Sequence, residues 1–143
     1  MGKKRRVKTG EDNESEKKIG AVSVVSKKKV ELGALYVEST YNNTKLVLTD
    51  SKGNVLATSS SGSIGFKGAK KGTPFAAAKV GEIIGSKAVA MGMREAHVVV
   101  KGVGSGRESG IRGFISKGIN IMSIKDVTPV PHNGPKPKKP RRV

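Results

Sequence analysis

Cysteine and tryptophan are absent, aromatic residues make up 3% of the 143-residue chain, and acids number 11 against 28 lysines and arginines. Each shortage excludes something. Without cysteine there is no disulfide framework, no zinc finger or ribbon, and no thiol nucleophile. No apolar run approaches the roughly 20 residues of a membrane span. The basic start, MGKKRRVKTGEDNESEKK, leads into no apolar stretch and carries acids, so neither a secretory signal nor a transit peptide is expected, and no membrane partner. The shortage of acids leaves a formal charge of +17, which repels itself on a folded surface unless a polyanion neutralises it. The expected class is a soluble intracellular protein that binds nucleic acid. The length fits one compact domain plus tails.

What is present is unevenly placed. Residues 1–29 hold ten cations and four acids, and residues 130–143 hold five cations and no acid. Residues 30–129 hold thirteen cations and seven acids. The two ends have too few large apolar side chains to bury a core, so they read as a basic flexible arm (1–29) and a basic tail (130–143) around a core (30–129). The tail, PVPHNGPKPKKPRRV with its lead-in proline, favours an extended, polyproline-like path. A solvated tail is the bland reading. Two basic arms flanking a basic core favour RNA.

From Leu32 the pattern becomes regular. LGALYVEST (32–40), TKLVLTD (44–50) and VLATSSS (55–61) read as a three-strand meander, with turns at Tyr41-Asn42-Asn43 and at 50–54. GSIGFKGAKKG (62–72) reads as a loop. Thr73 is a good N-cap and Pro74 a good first helical residue. The following helix places Phe75, Ala78, Ile83, Ala88 and Met91 on one stripe, and its Gly81 and Gly85 suggest a backbone lying close to a sheet. A strand at 97–100, a Gly-rich loop KGVGSGRESG (101–110), a helix IRGFISKG (111–118) and a strand INIMSIKDV (119–127) complete the order β-β-β-α-β-α-β. The expected fold is a single α/β domain: one mixed sheet with helices packed on it, its later crossovers parallel.

Two Gly-rich segments could carry chemistry. In GFKGAKKGTP, Lys67, Lys70 and Lys71 precede the Thr73-Pro74 helix start, where the helix dipole and the lysines both favour a phosphate. KGVGSGRES is bordered by Lys101, Arg107 and Arg112, but it matches no nucleotide fingerprint and no G-K-[ST] occurs. No cofactor, metal or small-molecule substrate is expected. Catalysis fits poorly, since His97 heads a strand and His132 lies in the tail. Asp50 and Asp126 at strand ends leave a metal-dependent nuclease as one alternative. A nucleic-acid chaperone is another.

YNNTKLVLTDSKGN, GFKGAKKGTPFAAAKVGE, VKGVGSGRESGIRG and IKDVTPVPHNGPKPKKPRRV, in that order and spacing, resemble the family of the universal eleventh protein of the small ribosomal subunit, in its bacterial form. The resemblance covers about residues 30–143. It implies a structural, non-enzymatic protein of the platform, bound to small-subunit ribosomal RNA near the messenger RNA exit region. Platform ribosomal proteins are the implied neighbours, and a bacterial-type cytoplasmic ribosome rather than an organellar one is the implied setting. It also implies that four segments face RNA: Asn42 and Asn43; Lys67, Lys70, Lys71 and Thr73; Lys101, Ser105, Arg107 and Arg112; and His132, Asn133, Lys136, Lys138, Lys139, Arg141 and Arg142. The family's second Gly-rich loop has prolines where this chain has Val103 and Ser105, and its tail has cysteine where this chain has Pro135. The acidic cluster Glu11, Asp12, Glu14 and Glu16 has no counterpart in the resemblance.

Asn133-Gly134 adds a modification candidate. With no side chain on the following residue, its backbone nitrogen can attack the asparagine amide and close a succinimide, which opens to isoaspartate. The resemblance implies that modification at this motif. An ordinary Asn-Gly turn hydrogen-bonding RNA is the plainer reading.

Overall fold

The computed structural model describes residues 29–142, so nearly all of the N-terminal arm, including its acidic cluster, lies outside the described residues. The elements are β1 (Leu32–Ser39), β2 (Thr44–Asp50), β3 (Val55–Ser60), a short 3-10 helix (Gly68–Gly72), α1 (Pro74–Ala90), β4 (Glu95–Lys101), α2 (Arg107–Ile115) and β5 (Asn120–Asp126). They form one five-stranded mixed sheet in the order β3-β2-β1-β4-β5. The hairpin pairs β1–β2 and β2–β3 are antiparallel, and β1–β4 and β4–β5 are parallel, as the sequence pattern predicts. Among the described residues no helix is long and apolar enough to cross a membrane.

Alternation along the strands explains the layering. Leu35, Val37, Leu46, Leu48, Val98 and Val100 are buried on one face, where they meet Val80, Ile84, Ile111 and Phe114 from the helices. Tyr36, Glu38, Lys45, His97 and Lys125 lie on the other face and are exposed. The period of two thus assigns the helices to one side.

Three expectations are corrected. The buried stripe of α1 is Ala76, Ala77, Val80, Gly81, Ile84, Gly85 and Ala88, whereas Phe75 and Ile83 are exposed. Large apolar residues mark the buried face when a helix packs through its side chains; this one puts Val80 and Ile84 in the core but meets α2 through its smallest residues. Gly81 and Gly85 accordingly lie against α2 and the turn after it rather than against the sheet: a side chain at Gly81 would strike the Gly110 carbonyl, and Phe114 N would lie 2.9 Å from it. Finally, α2 begins at Arg107, not Ile111, so the last four residues of the expected Gly-rich loop are its first turn. Glu108 in that turn complements the positive end of the helix.

The helix crossing yields a stability prediction. A methyl group at Gly113 would collide with the Ala78 backbone carbonyl, which cannot swing aside as a flexible side chain could. Gly113→Ala is expected to destabilise by about 2 kcal/mol despite alanine's better helix propensity. In a domain of this size that lowers Tm by roughly 10 °C, read by calorimetry.

Candidate nucleic-acid interface

β1, β3, β4 and β5 all run in one direction, so the segments that follow them emerge at one end of the sheet. The turn before β2 lies there too. This brings together three segments far apart in the chain: the asparagine turn (40–43), the loop and 3-10 helix before α1 (61–73), and the Gly-rich loop before α2 (102–106). Hydrogen bonds and close backbone approach fix their arrangement. Thr40 N donates to Asn43 O at 2.8 Å and Asn43 N to Thr40 Oγ1 at 3.1 Å, closing the first turn. Ser105 Oγ donates to Gly72 O at 2.8 Å, and Gly104 N to Ser39 O at 3.0 Å. Side chains at Gly72 and Gly104 would strike the carbonyls of Tyr41 and Thr40, so these loops interlock only because both positions are glycine.

The start of α1 is built as the sequence predicts. Thr73 Oγ1 accepts from Ala76 N at 3.4 Å and Pro74 occupies the first turn. Lys70 and Lys71 occupy the last turn of the 3-10 helix just before it, and Lys67 precedes that helix. None of the three makes an ion pair among the described residues. Lys101 ends β4 at the same end and is exposed. The N-termini of both α-helices therefore lie at the end that carries these lysines, with the positive end of each helix dipole.

The other residues expected to face RNA have surroundings of their own. Arg112 lies on the flank of α2, where it pairs with Glu108 at 3.3 Å. Arg107 is tied into the body: Nη1 donates to Gly102 O at 2.9 Å and Nη2 to Asp126. Ser105 holds the loop cluster together through Gly72. His132, Asn133, Lys136, Lys138, Lys139, Arg141 and Arg142 lie in an exposed tail without regular structure. Asn133 takes a left-handed backbone conformation, φ 57°, which asparagine tolerates.

Sequence reading missed Tyr41. It stands 78% exposed at the tip of the asparagine turn, its ring free to stack on a flat partner. An aromatic residue inside a turn, in a chain with so few, was the available signal. Asn43 adds a buried side-chain oxygen with no hydrogen-bond partner.

Asp50 and Asp126 do not converge. Asp50 closes the turn at the opposite end of the sheet, accepting from Lys52 N, Asn54 N and Asn54 Nδ2 at 2.9 Å each. The Asn54 hydrogen bonds hold its carboxyl below the usual range. Several residue steps and three strand spacings separate the two acids, about 20 Å. No cluster of three or more potential metal ligands occurs among the described residues.

Asp126 has a structural environment of its own. Thr128 Oγ1 donates to it at 2.6 Å and Thr128 N at 2.9 Å, with Arg107 beside them. The Thr128 hydrogen bonds, then the Arg107 guanidinium, hold its pKa down to about 2. A lowered pKa favours the folded arrangement while the group is ionised, by only a small amount here because the carboxylate is half exposed. The contribution is thus complete above the ordinary value of 3.8 and is lost as pH falls through about 2. The Thr128 amide resonance is expected to hold steady from pH 7 to 4 and to titrate with a midpoint near 2. A midpoint near the ordinary carboxylate value contradicts the network.

The family model for ribosomal protein S11 matches residues 33–142. The chain is 52% identical over 117 residues, 82% of its length and 93% of the relative's, to small ribosomal subunit protein uS11 of Treponema pallidum, with the same figures in two strains of that bacterium. It is 51% identical over 117 residues, covering 90% of the relative, to small ribosomal subunit protein uS11c of Chlorella vulgaris. With a matched region that contains nearly the whole sheet, both helices, the interlocked loops and the tail, the chain belongs to the ribosomal protein S11 family.

Proposed function

We propose that this chain is a structural constituent of the small ribosomal subunit. In this reading it binds small-subunit ribosomal RNA through the loop end of its sheet and its C-terminal tail, and supports assembly and translation. One observation carries the reading: three segments distant in sequence are locked together at one end. They carry Lys67, Lys70 and Lys71 and share that end with Lys101 of β4, two helix N-termini and the start of the tail. Phosphates are the ligands such an end suits. The family supports the ribosomal setting; a seat in the platform near the messenger RNA exit region, beside platform proteins, follows from that resemblance. The bacterial and the Chlorella relatives are almost equally similar, so identity does not choose between a bacterial and an organellar ribosome. The chain is expected to co-sediment with the small subunit in low salt; free protein under the same conditions argues instead for a chaperone acting off the ribosome.

The exposed Tyr41 ring next to this cationic end suits an unpaired base. Tyr41→Ala is expected to weaken binding of small-subunit ribosomal RNA by about tenfold, the scale of one lost base stack, while Tyr41→Phe retains it. Equal affinities for all three proteins contradict the stacking role.

The separation of Asp50 from Asp126 supports a role without catalysis. Magnesium-dependent RNA cleavage by the purified protein, abolished by Asp50→Asn or Asp126→Asn, overturns it. Asn133 is the proposed isoaspartate site of the tail. Peptide mapping of ribosome-bound protein with an isoaspartate-specific methyltransferase is expected to label it, and unmodified asparagine there contradicts the assignment.

A further inference from the structure

We propose that Arg107, Asp126 and Thr128 are positioning residues, an anchor that sets the direction in which the C-terminal tail leaves the sheet. The anchor makes the loop end and the tail act as one RNA-binding surface. The inference rests on the RNA-binding reading for its consequence, but not for its geometry.

The hydrogen bonds form a closed set around the end of β5. Asp126, its last residue, accepts from the Thr128 hydroxyl at 2.6 Å, from Thr128 N at 2.9 Å and from Arg107 Nη2. The same Thr128 oxygen accepts from Gly102 N at 3.2 Å, and Arg107 Nη1 donates to Gly102 O at 2.9 Å. Between them, Val127 N donates to Val100 O at 2.9 Å. The end of β4, the first residue of α2 and the residues leading into the tail are thereby joined. Beyond Thr128, no hydrogen bond among the described residues ties 129–142 to the body. Thr128 is the last fixed point.

The segment beyond this point transmits direction. Pro129, Pro131, Pro135, Pro137 and Pro140 punctuate the tail. A proline-rich segment extends about 3.1 Å per residue and stays stiff over several residues, so Asn133 lies about 15 Å from the anchor. A swing of about 30° at Thr128 displaces that point by about 8 Å, far beyond the tolerance of a hydrogen bond to a phosphate. Stability of the core is not what the anchor supplies. The Asp126 carboxylate is 51% exposed and the Arg107 side chain 33%, and ion pairs of that exposure contribute little to folding. Arg107, expected from sequence as a phosphate contact, thus acts on RNA through the tail.

The test uses the full chain, whose lack of cysteine permits clean labelling. Spin labels at Val89→Cys and Val130→Cys report the tail direction without RNA. Thr128→Val, which removes the hydroxyl and keeps the shape, and Asp126→Asn are each expected to broaden the distance distribution about twofold while Tm stays nearly constant. In the RNA arm, Thr128→Val is expected to weaken small-subunit ribosomal RNA binding about fivefold in the full chain, and to change it little in a chain ending at Pro131. An unchanged distance distribution overturns the anchor, as does an equal loss of affinity with and without the tail. If the parent binds no RNA while the label distances respond as stated, the RNA reading fails and the anchor stands.

Discussion

Reversing two charges, Lys70→Glu with Lys71→Glu, is expected to lower the affinity for small-subunit ribosomal RNA by at least about 150-fold, since each charge-assisted contact to phosphate contributes about 1.5–3 kcal/mol. Both lysines belong to a 3-10 helix with no buried residues, and neither makes an ion pair among the described residues. The substitution therefore leaves the fold intact, and an unchanged far-ultraviolet circular dichroism spectrum and Tm verify this. The effect exceeds simple loss of attraction because glutamates placed before the N-terminus of α1 occupy the position a phosphate needs. Lys52→Glu is the matched control. It lies in the Asp50–Asn54 turn, at the other end of the sheet, and is expected to change affinity about threefold at most, through long-range charge alone. Filter binding at fixed salt reads all three. Equal losses for the control and the double variant mean that net charge, and not the loop end, determines binding.

Deleting residues 136–143 removes Lys136, Lys138, Lys139, Arg141 and Arg142 and, among the described residues, touches no hydrogen bond of the body. If about four of them neutralise phosphates, the slope of log K against log salt flattens by roughly three, at about 0.7–0.9 per contact. Affinity at moderate salt falls in step, and stability does not change. An unaltered slope means that the tail is only solvated. The two experiments address different halves of the same surface. The lysine pair sits on a rigid loop whose position is fixed by interlocked backbones, whereas the tail is held at one point. If the anchor at Thr128 couples them, their effects on affinity are not additive, and removing the tail reduces the loss caused by the lysine reversal.

How far the sequence alone leads depends on which physical signal each element uses. The strands are legible because one face of each is buried, so apolar residues alternate along LGALYVES and TKLVLTD, and Asn-Asn and Asp-Ser-Lys-Gly mark the turns between them. The start of α1 is legible because Thr73 and Pro74 act locally. Its face toward α2 is not, because it meets that helix through Ala77, Ala78, Gly81 and Gly85, and small residues carry no hydropathy signal that points inward. The same property hides the start of α2, where Gly106 and Gly110 read as loop while serving as close contacts. Individual segments of the interface announce themselves by lysine and glycine, but their convergence depends on sheet order. Only once β4 inserts beside β1 does the loop at 102–106 come to rest on the turn at 40–43. That convergence falls at the carboxyl ends of the parallel strands, where open α/β sheets place their ligands. Arg107 shows the limit most clearly: nothing in the sequence signals that a guanidinium at this helix start also bonds Gly102 and Asp126.

An electron cryo-microscopy map of the small subunit containing this chain tests most directly whether the loop end and tail form the RNA-binding surface. The expected map places ribosomal RNA within hydrogen-bonding or stacking distance of Tyr41, Lys70, Lys71 and the tail from His132 onward, with the Asp50–Asn54 turn away from it. A map in which RNA packs on that turn, while Lys70 and Lys71 face solvent, contradicts the account.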